Sequence, residues 1–271
     1  MTRALQFRQQ GRFQAAEQIY RQVLRTQPNH TDTLHFLGII AAQTGRPELA
    51  INSLTQAIAL NENVPAFHAN LGKVLKNKGK LDDTIASFRR ALELQPELFK
   101  VLKNLGNTLK LQAQIDAAVA NYRKALDLKP DYPEARFNLA IALKEQGKYD
   151  EATRCFHQLL KQRPNSAEAL FNLGSTYEEQ GKPDAAIASY RRALALRPDD
   201  AEWHLSLGNL LNRENKLDDA IASYRQALVL NPDFSEAHNN LGNAFRARGN
   251  LDKAMNCYRR ALELNPDYAA A

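Results

Sequence analysis

Residues 167–200 read AEALFNLGSTYEEQGKPDAAIASYRRALALRPDD, and residues 201–234 read AEWHLSLGNLLNRENKLDDAIASYRQALVLNPDF. The second stretch repeats the first without insertion, and the same register continues in both directions. Pro28, Pro96, Pro130, Pro164, Pro198, Pro232 and Pro266 fall on one 34-residue phase, broken only by Glu62. All 12 glycines fall on two further phases: Gly38, Gly72, Gly106, Gly174, Gly208 and Gly242 on one, and Gly11, Gly45, Gly79, Gly147, Gly181 and Gly249 on the other. A fixed period of this length is the mark of stacked supersecondary units.

Each unit contains two helical stripes. Leu173, Gly174 and Tyr177 have i, i+1, i+4 spacing on a first helix, and Ala186, Tyr190 and Ala193 have i, i+4, i+7 spacing on a second. The glycine beside the leucine, and Ala152, Ala186, Ala220 and Ala254, let helices approach closely. Tyr122, Phe156, Tyr190, Tyr224 and Tyr258 are expected to fill the space between neighbouring units. Gly147 and Gly181 suit a left-handed turn between the helices, and the prolines stop the second helix. Ala113 and Asn215 stand where two of these turn glycines belong; asparagine tolerates that conformation, so the turn at Ala113 is the one expected to be deformed. Asp131 with Glu134, Asn165 with Glu168, Asp199 with Glu202 and Asp233 with Glu236 have the spacing of a capping box.

On these residues the chain resembles the tetratricopeptide repeat family from end to end. The resemblance implies an all-α, right-handed superhelical solenoid of about eight helix-turn-helix repeats with a concave groove, forming a single domain over 1–271. With the phased proline as position 32, the repeats are 1–30 (lacking its opening positions), 31–64, 65–98, 99–132, 133–166, 167–200, 201–234 and 235–268. The last repeat closes at Tyr268 and only Ala269–Ala271 follow, so self-association through an uncapped end is expected from Met255, Leu262 and Leu264.

Composition restricts the possibilities further. The chain has 271 residues, 44% of them hydrophobic and 24% charged. Its longest apolar stretch, near LGIIAA at 37–42, falls short of the roughly 20 residues that span a bilayer. The opening MTRALQFRQQGRF lacks the apolar core of an export signal, so a cytoplasmic protein with no membrane association is expected. Cys155 and Cys257, both at position 23 and three repeats apart, are expected to be small core residues and not a disulfide pair. A net charge of +6 with mixed signs and no row of stacking aromatics argues against nucleic acid.

No catalytic constellation is legible, so the expectation is a non-enzyme without cofactor. Phosphate-cradling loops and nucleophile elbows need glycines outside the repeat phases, and none exists. His30, His35, His68, His157, His204 and His238 include no H-x-x-x-H pair, and no metal site is expected; three of them share position 4 of their repeats.

Positions 2, 6, 9 and 13 share one face of the first helix, which in the resembled family lines the groove. Position 6 holds Phe36, Asn70, Asn104, Asn138, Asn172, Ser206 and Asn240; position 9 adds Asn107, Ser175, Asn209 and Asn243. An asparagine amide both donates and accepts, matching a peptide backbone whatever its side chains. The position-6 line of Asn70, Asn104, Asn138, Asn172 and Asn240, interrupted by Phe36 and Ser206, resembles the asparagine ladder of the O-linked N-acetylglucosamine transferases and their bacterial relatives, where it grips the substrate polypeptide; no transferase domain accompanies it here. Lys103, Asn107 and Asn138 also match the first positions of the family's carboxylate clamp, but Glu168 and Asn172 stand where its basic residues belong, and a standard clamp is rejected. Lys73, Lys76, Lys100, Lys103, Lys110 and Lys144 lie on first helices, several at or beside groove positions, making the first half basic, and Glu178 and Glu179 follow; repeats 65–98, 99–132 and 133–166 carry +2, +3 and +2, and the next two −2 each. The leading expectation is a protein-interaction scaffold that binds an extended peptide through its asparagines. A substrate-recruiting arm of a larger glycosyltransferase and an end-to-end assembly module are the alternatives.

Overall fold

The computed structural model describes residues 2–266. The end of the last repeat, at Tyr268 and beyond, lies outside the described residues. Two compact units are present, divided after Ala142. In the first, α1 (Thr2–Gln9), α2 (Phe13–Thr26), α3 (Thr31–Gln43), α4 (Pro47–Leu60), α5 (Pro65–Asn77), α6 (Leu81–Leu94), α7 (Phe99–Leu111) and α8 (Ile115–Leu128) follow in order, and α9 (Pro133–Glu145) runs through the division. The second holds α10 (Tyr149–Gln162), α11 (Ala167–Glu179), α12 (Pro183–Leu196), α13 (Ala201–Arg213), α14 (Leu217–Leu230), α15 (Ser235–Ala247) and α16 (Leu251–Leu264). Among the described residues every element is a helix, and within each unit successive helices pack on one another, most closely the two of each repeat.

The close pairing has one cause. A Cβ added to Gly72 would lie 2.6 Å from the ring of Phe88, and the same distance separates Gly106 from Tyr122 and Gly208 from Tyr224. Position 24 therefore places its ring on the glycine of its own first helix, so its first contact is inside the repeat. Position 20 is fully buried alanine at Ala50, Ala118, Ala152, Ala186 and Ala220. Thr84 takes that place once, and its hydroxyl donates to the Lys80 carbonyl at 2.7 Å, so burial leaves no polar group unpaired.

The repeat ends are more regular than their residues. Gln95, Lys129 and Arg197, each before a proline, leave the helical region with φ between −134° and −147°. Asn61 does the same at φ −153° although Glu62 follows it, so the missing proline leaves no trace. The turn at Ala113 is likewise undeformed: φ is 58°, beside 56° at Asn215 and 72° at Gly147. Its hydrogen bonds, Ala113 N–H to the Lys110 carbonyl and Gln114 N–H to the Leu109 carbonyl, both 2.9 Å, match those of Gly147 and Lys148. Packing on either side over-determines the turn and holds alanine in a conformation costing about 1–2 kcal/mol. Ala113→Gly should therefore raise the stability of the first unit by about 1 kcal/mol, read as a higher denaturant midpoint.

At α11, α13 and α15 the capping boxes do not form, because these helices start one residue later than that spacing requires. Ser166 and Asp200 are the caps of α11 and α13, accepting from the Ala169 and Trp203 N–H groups, and Phe234 precedes α15 without a side-chain cap. Glu168 instead pairs with Arg197. Cys155 and Cys257 are half-buried and form no disulfide with each other. No helix among the described residues is long and apolar enough to cross a membrane.

Candidate functional site

The first-helix positions 6 and 9 do more than face outward. In the first unit the Asn107 carbonyl oxygen accepts from the Tyr122 hydroxyl and from the Asn138 amide, both at 2.8 Å. In the second unit Asn209 does the same for Tyr224 and Asn240, both at 2.9 Å. Asn243 accepts from Tyr258 at 2.9 Å. Position 9 is thus a shared acceptor. It holds the tyrosine of its own repeat and the position-6 amide of the next one.

A rule at a spacing of fifteen residues follows, and it is visible in the sequence once the bond is known. Asn107, Asn209 and Asn243 precede tyrosines, whereas Lys73 precedes Phe88 and Ile141 precedes Phe156. Ser175 precedes Tyr190, whose hydroxyl donates to Glu178 at 2.7 Å; burial, with that carboxylate beside it, pushes the Tyr190 phenol up. Tyr20 has Leu5 at the same spacing, and its buried hydroxyl has no hydrogen-bond partner among the described residues.

The remaining position-6 residues differ according to what precedes them. Asn70, with Ile39 at the preceding position 9, turns to His35 Nε2 at 2.8 Å and accepts from Lys73 at 3.2 Å. Burial holds the His35 imidazole down at about 4, opposed mainly by Asp32. The ring is therefore neutral near pH 7 and able to accept at Nε2. Asn172 donates back to the Glu168 carbonyl at 2.8 Å, as Ser206 does to Glu202 at 2.9 Å. Asn104 follows Lys73, which offers no acceptor. Its side chain is half-buried and has no hydrogen-bond partner among the described residues.

The lysines of the first unit gather around these amides. Lys76 and Lys110 line a 310 Å³ hollow together with Asn107, Asn138, Tyr122 and Phe137. Lys73 and Lys103 are held below the ordinary lysine range, first by burial and then by neighbouring lysines: Lys100 for the former, Lys76 and Lys73 for the latter, with Glu134 opposing at Lys103. Lys144, in the second unit, donates to Ser175 at 3.1 Å. The acidic α11 is largely matched: Glu178 pairs with Arg213 and Glu168 with Arg197.

The histidines at position 4 have a repeated structural task. His68, His204 and His238 each bond through Nε2 to the carbonyl six residues earlier, at 2.8, 3.0 and 2.9 Å, and Arg136 reaches the Pro130 carbonyl in the same way at 2.6 Å. Among the described residues no group of three or more His, Cys, Asp or Glu could hold a metal ion.

The family model described as "Tetratricopeptide repeat" matches residues 37–98, 139–201 and 176–230, and related models match 1–63, 106–147 and 235–268. No curated protein matches the chain. Among solved structures, MamA is 26% identical with a TM-score of 0.58, over 62% of this chain and 98% of its own. YrrB, described as a TPR protein with an unusual peptide-binding site, is 24% identical with a TM-score of 0.59, over 68% of this chain and 94% of its own. A tetratricopeptide repeat protein from Parabacteroides merdae is 19% identical with a TM-score of 0.63, over 94% of this chain and 96% of its own. The last two show likeness of fold alone. With the period, the helix pairs and the ring-on-glycine packing, these matches establish that the chain belongs to the tetratricopeptide repeat family, a protein-interaction scaffold that is generally non-catalytic.

Proposed function

We propose that the first-helix faces hold an extended polypeptide segment through its main chain. Asn104 carries the reading. It presents a half-buried amide whose donors and acceptor are unengaged, and desolvating such a group without a partner is unfavourable, so a ligand that supplies both N–H and C=O is favoured there. Asn138 and Asn172 each engage one amide N–H and keep the second N–H for a ligand. Asn107, Asn209 and Asn243 serve the architecture first, and their ligand contacts come through the groups they orient.

Selection of displayed random peptides on the full chain tests this. Peptides enriched on the parent should bind Asn104→Ala about 2- to 10-fold more weakly, the equivalent of one hydrogen bond, while the melting temperature is unchanged or slightly higher. Equal binding to parent and variant overturns the assignment.

A second reading has its own observation. Leu251, Met255 and Leu262 on α16 are 62%, 58% and 40% exposed, an apolar stripe on one helix. We propose that this stripe supports self-association. Sedimentation should show a concentration-dependent increase in mass that Met255→Glu abolishes; a monomer at all concentrations removes the reading.

A further inference from the structure

α5 and α7 carry five lysines, Lys73, Lys76, Lys100, Lys103 and Lys110, and no carboxylate. Elsewhere in the same unit basic groups find acids: Arg46 holds Glu17 through two hydrogen bonds, and Lys78 reaches Glu48 at 2.6 Å. Lys73, Lys76, Lys100 and Lys103 form no ion pair with a carboxylate among the described residues, and only Glu134 acts at a distance on Lys103. Lys73 and Lys103 are partly desolvated and lie within electrostatic reach of their neighbours, so each destabilises the others' charged form. Such a cluster is an unfavourable arrangement for the free protein, and a bound anion relieves it. The 310 Å³ hollow that Lys76 and Lys110 line has both polar and apolar walls, among them Tyr122 and Phe137.

We infer that this face of α5 and α7 takes an acidic polypeptide segment, its carboxylates set against Lys73, Lys76, Lys100 and Lys103 and an apolar side chain entering the hollow against Tyr122 and Phe137. The inference rests on the polypeptide-binding reading above and adds the partner's chemistry. Two observations favour polypeptide over RNA as the polyanion. The unengaged amide of Asn104 lies on the same helix as three of the lysines and matches a peptide unit. Among the described residues no exposed large apolar side chain is aromatic, so a row of base-stacking platforms is missing.

Fluorescence anisotropy on the full chain decides the matter with three labelled probes of equal length: an unstructured peptide of glutamate and leucine, the same peptide with glutamine for glutamate, and oligouridylate. The glutamate peptide should bind about tenfold or more tightly than the glutamine peptide at low salt, with the advantage shrinking as salt rises. Lys76→Glu with Lys103→Glu should abolish the advantage, and Lys76→Gln with Lys103→Gln should reduce it. Both pairs relieve lysine repulsion, so they should melt no lower than the parent. Arg246→Glu on α15 should leave binding unchanged. Equal affinity for the two peptides, an unchanged lysine double variant, or tighter binding of oligouridylate each overturns the inference. If both peptides bind equally and Asn104→Ala weakens both, the general polypeptide reading survives alone. If neither peptide binds, both readings fall.

Discussion

Gly174→Leu is expected to destabilise the second unit by about 3 kcal/mol, the upper part of the range for overpacking a filled core. A Cβ at this position would already lie 2.7 Å from Tyr190 Cδ1, 2.8 Å from Cε1 and 3.2 Å from the Ala186 carbonyl oxygen. The ring has little room to withdraw. It is 2% exposed, its hydroxyl is held by Glu178, and the Phe171 ring lies tilted beside it with centroids 4.9 Å apart. The leucine side chain beyond Cβ then has to push α11 and α12 apart. Trp203, the single tryptophan, lies in the same unit against Phe171 at 4.6 Å, so its fluorescence gives a local unfolding signal. Local readout matters because repeat arrays need not unfold in one step. Gly181→Ala is the contrasting change: nothing lies within 4 Å of its Cβ, and only the strain of φ 67° is added, about 1 kcal/mol. A denaturant midpoint for Gly174→Leu equal to that of the parent would contradict the helix pairing.

Asn209→Ala is expected to cost about 2 kcal/mol. It removes the acceptor of two donors at once, the Tyr224 hydroxyl and the Asn240 amide. Tyr224 is 1% exposed, so its hydroxyl cannot turn to water and loses its partner inside the fold. Tyr224→Phe alone should be milder, because Asn209 keeps Asn240. Combining the two changes should recover about 1 kcal/mol of the loss, since the orphaned hydroxyl is then absent. The measurement is a double-mutant cycle of unfolding free energies. Additive effects, with no recovery, would mean that the tyrosine and the asparagine are not coupled and that position 9 is free for ligand after all.

Much of this architecture is legible in residue order. The 34-residue phase sets every helix pair, and the glycines at position 8 foretell close approach because only a missing Cβ permits a ring there. Signals resting on one local residue were weaker guides. Ala113 points to a deformed turn, yet neighbouring helices hold it in the left-handed region. The aspartates before α13 and α15 suggest capping boxes, yet the helix start is set one residue later by packing. For the candidate site, residue type alone places Asn104, Asn107, Asn138 and Asn209 together as groove-lining amides. Their hydrogen bonds separate them, because whether an amide is engaged depends on residues thirty-one positions earlier or fifteen later, outside any local pattern.

That dependence gives the order of the repeats a meaning beyond their composition. Asn209 and Tyr224 lie within one unit and would travel together if the unit were duplicated, whereas the donor Asn240 belongs to its neighbour. A unit with asparagine at position 9 engages the amide that follows it; a unit with lysine there, as at Lys73, releases the next amide, as at Asn104. Exchanging two such units would leave the amino-acid content unchanged and move the free amide to a different place along the array. Rearranging whole repeats is therefore a route to a new ligand register in which no individual residue has to mutate.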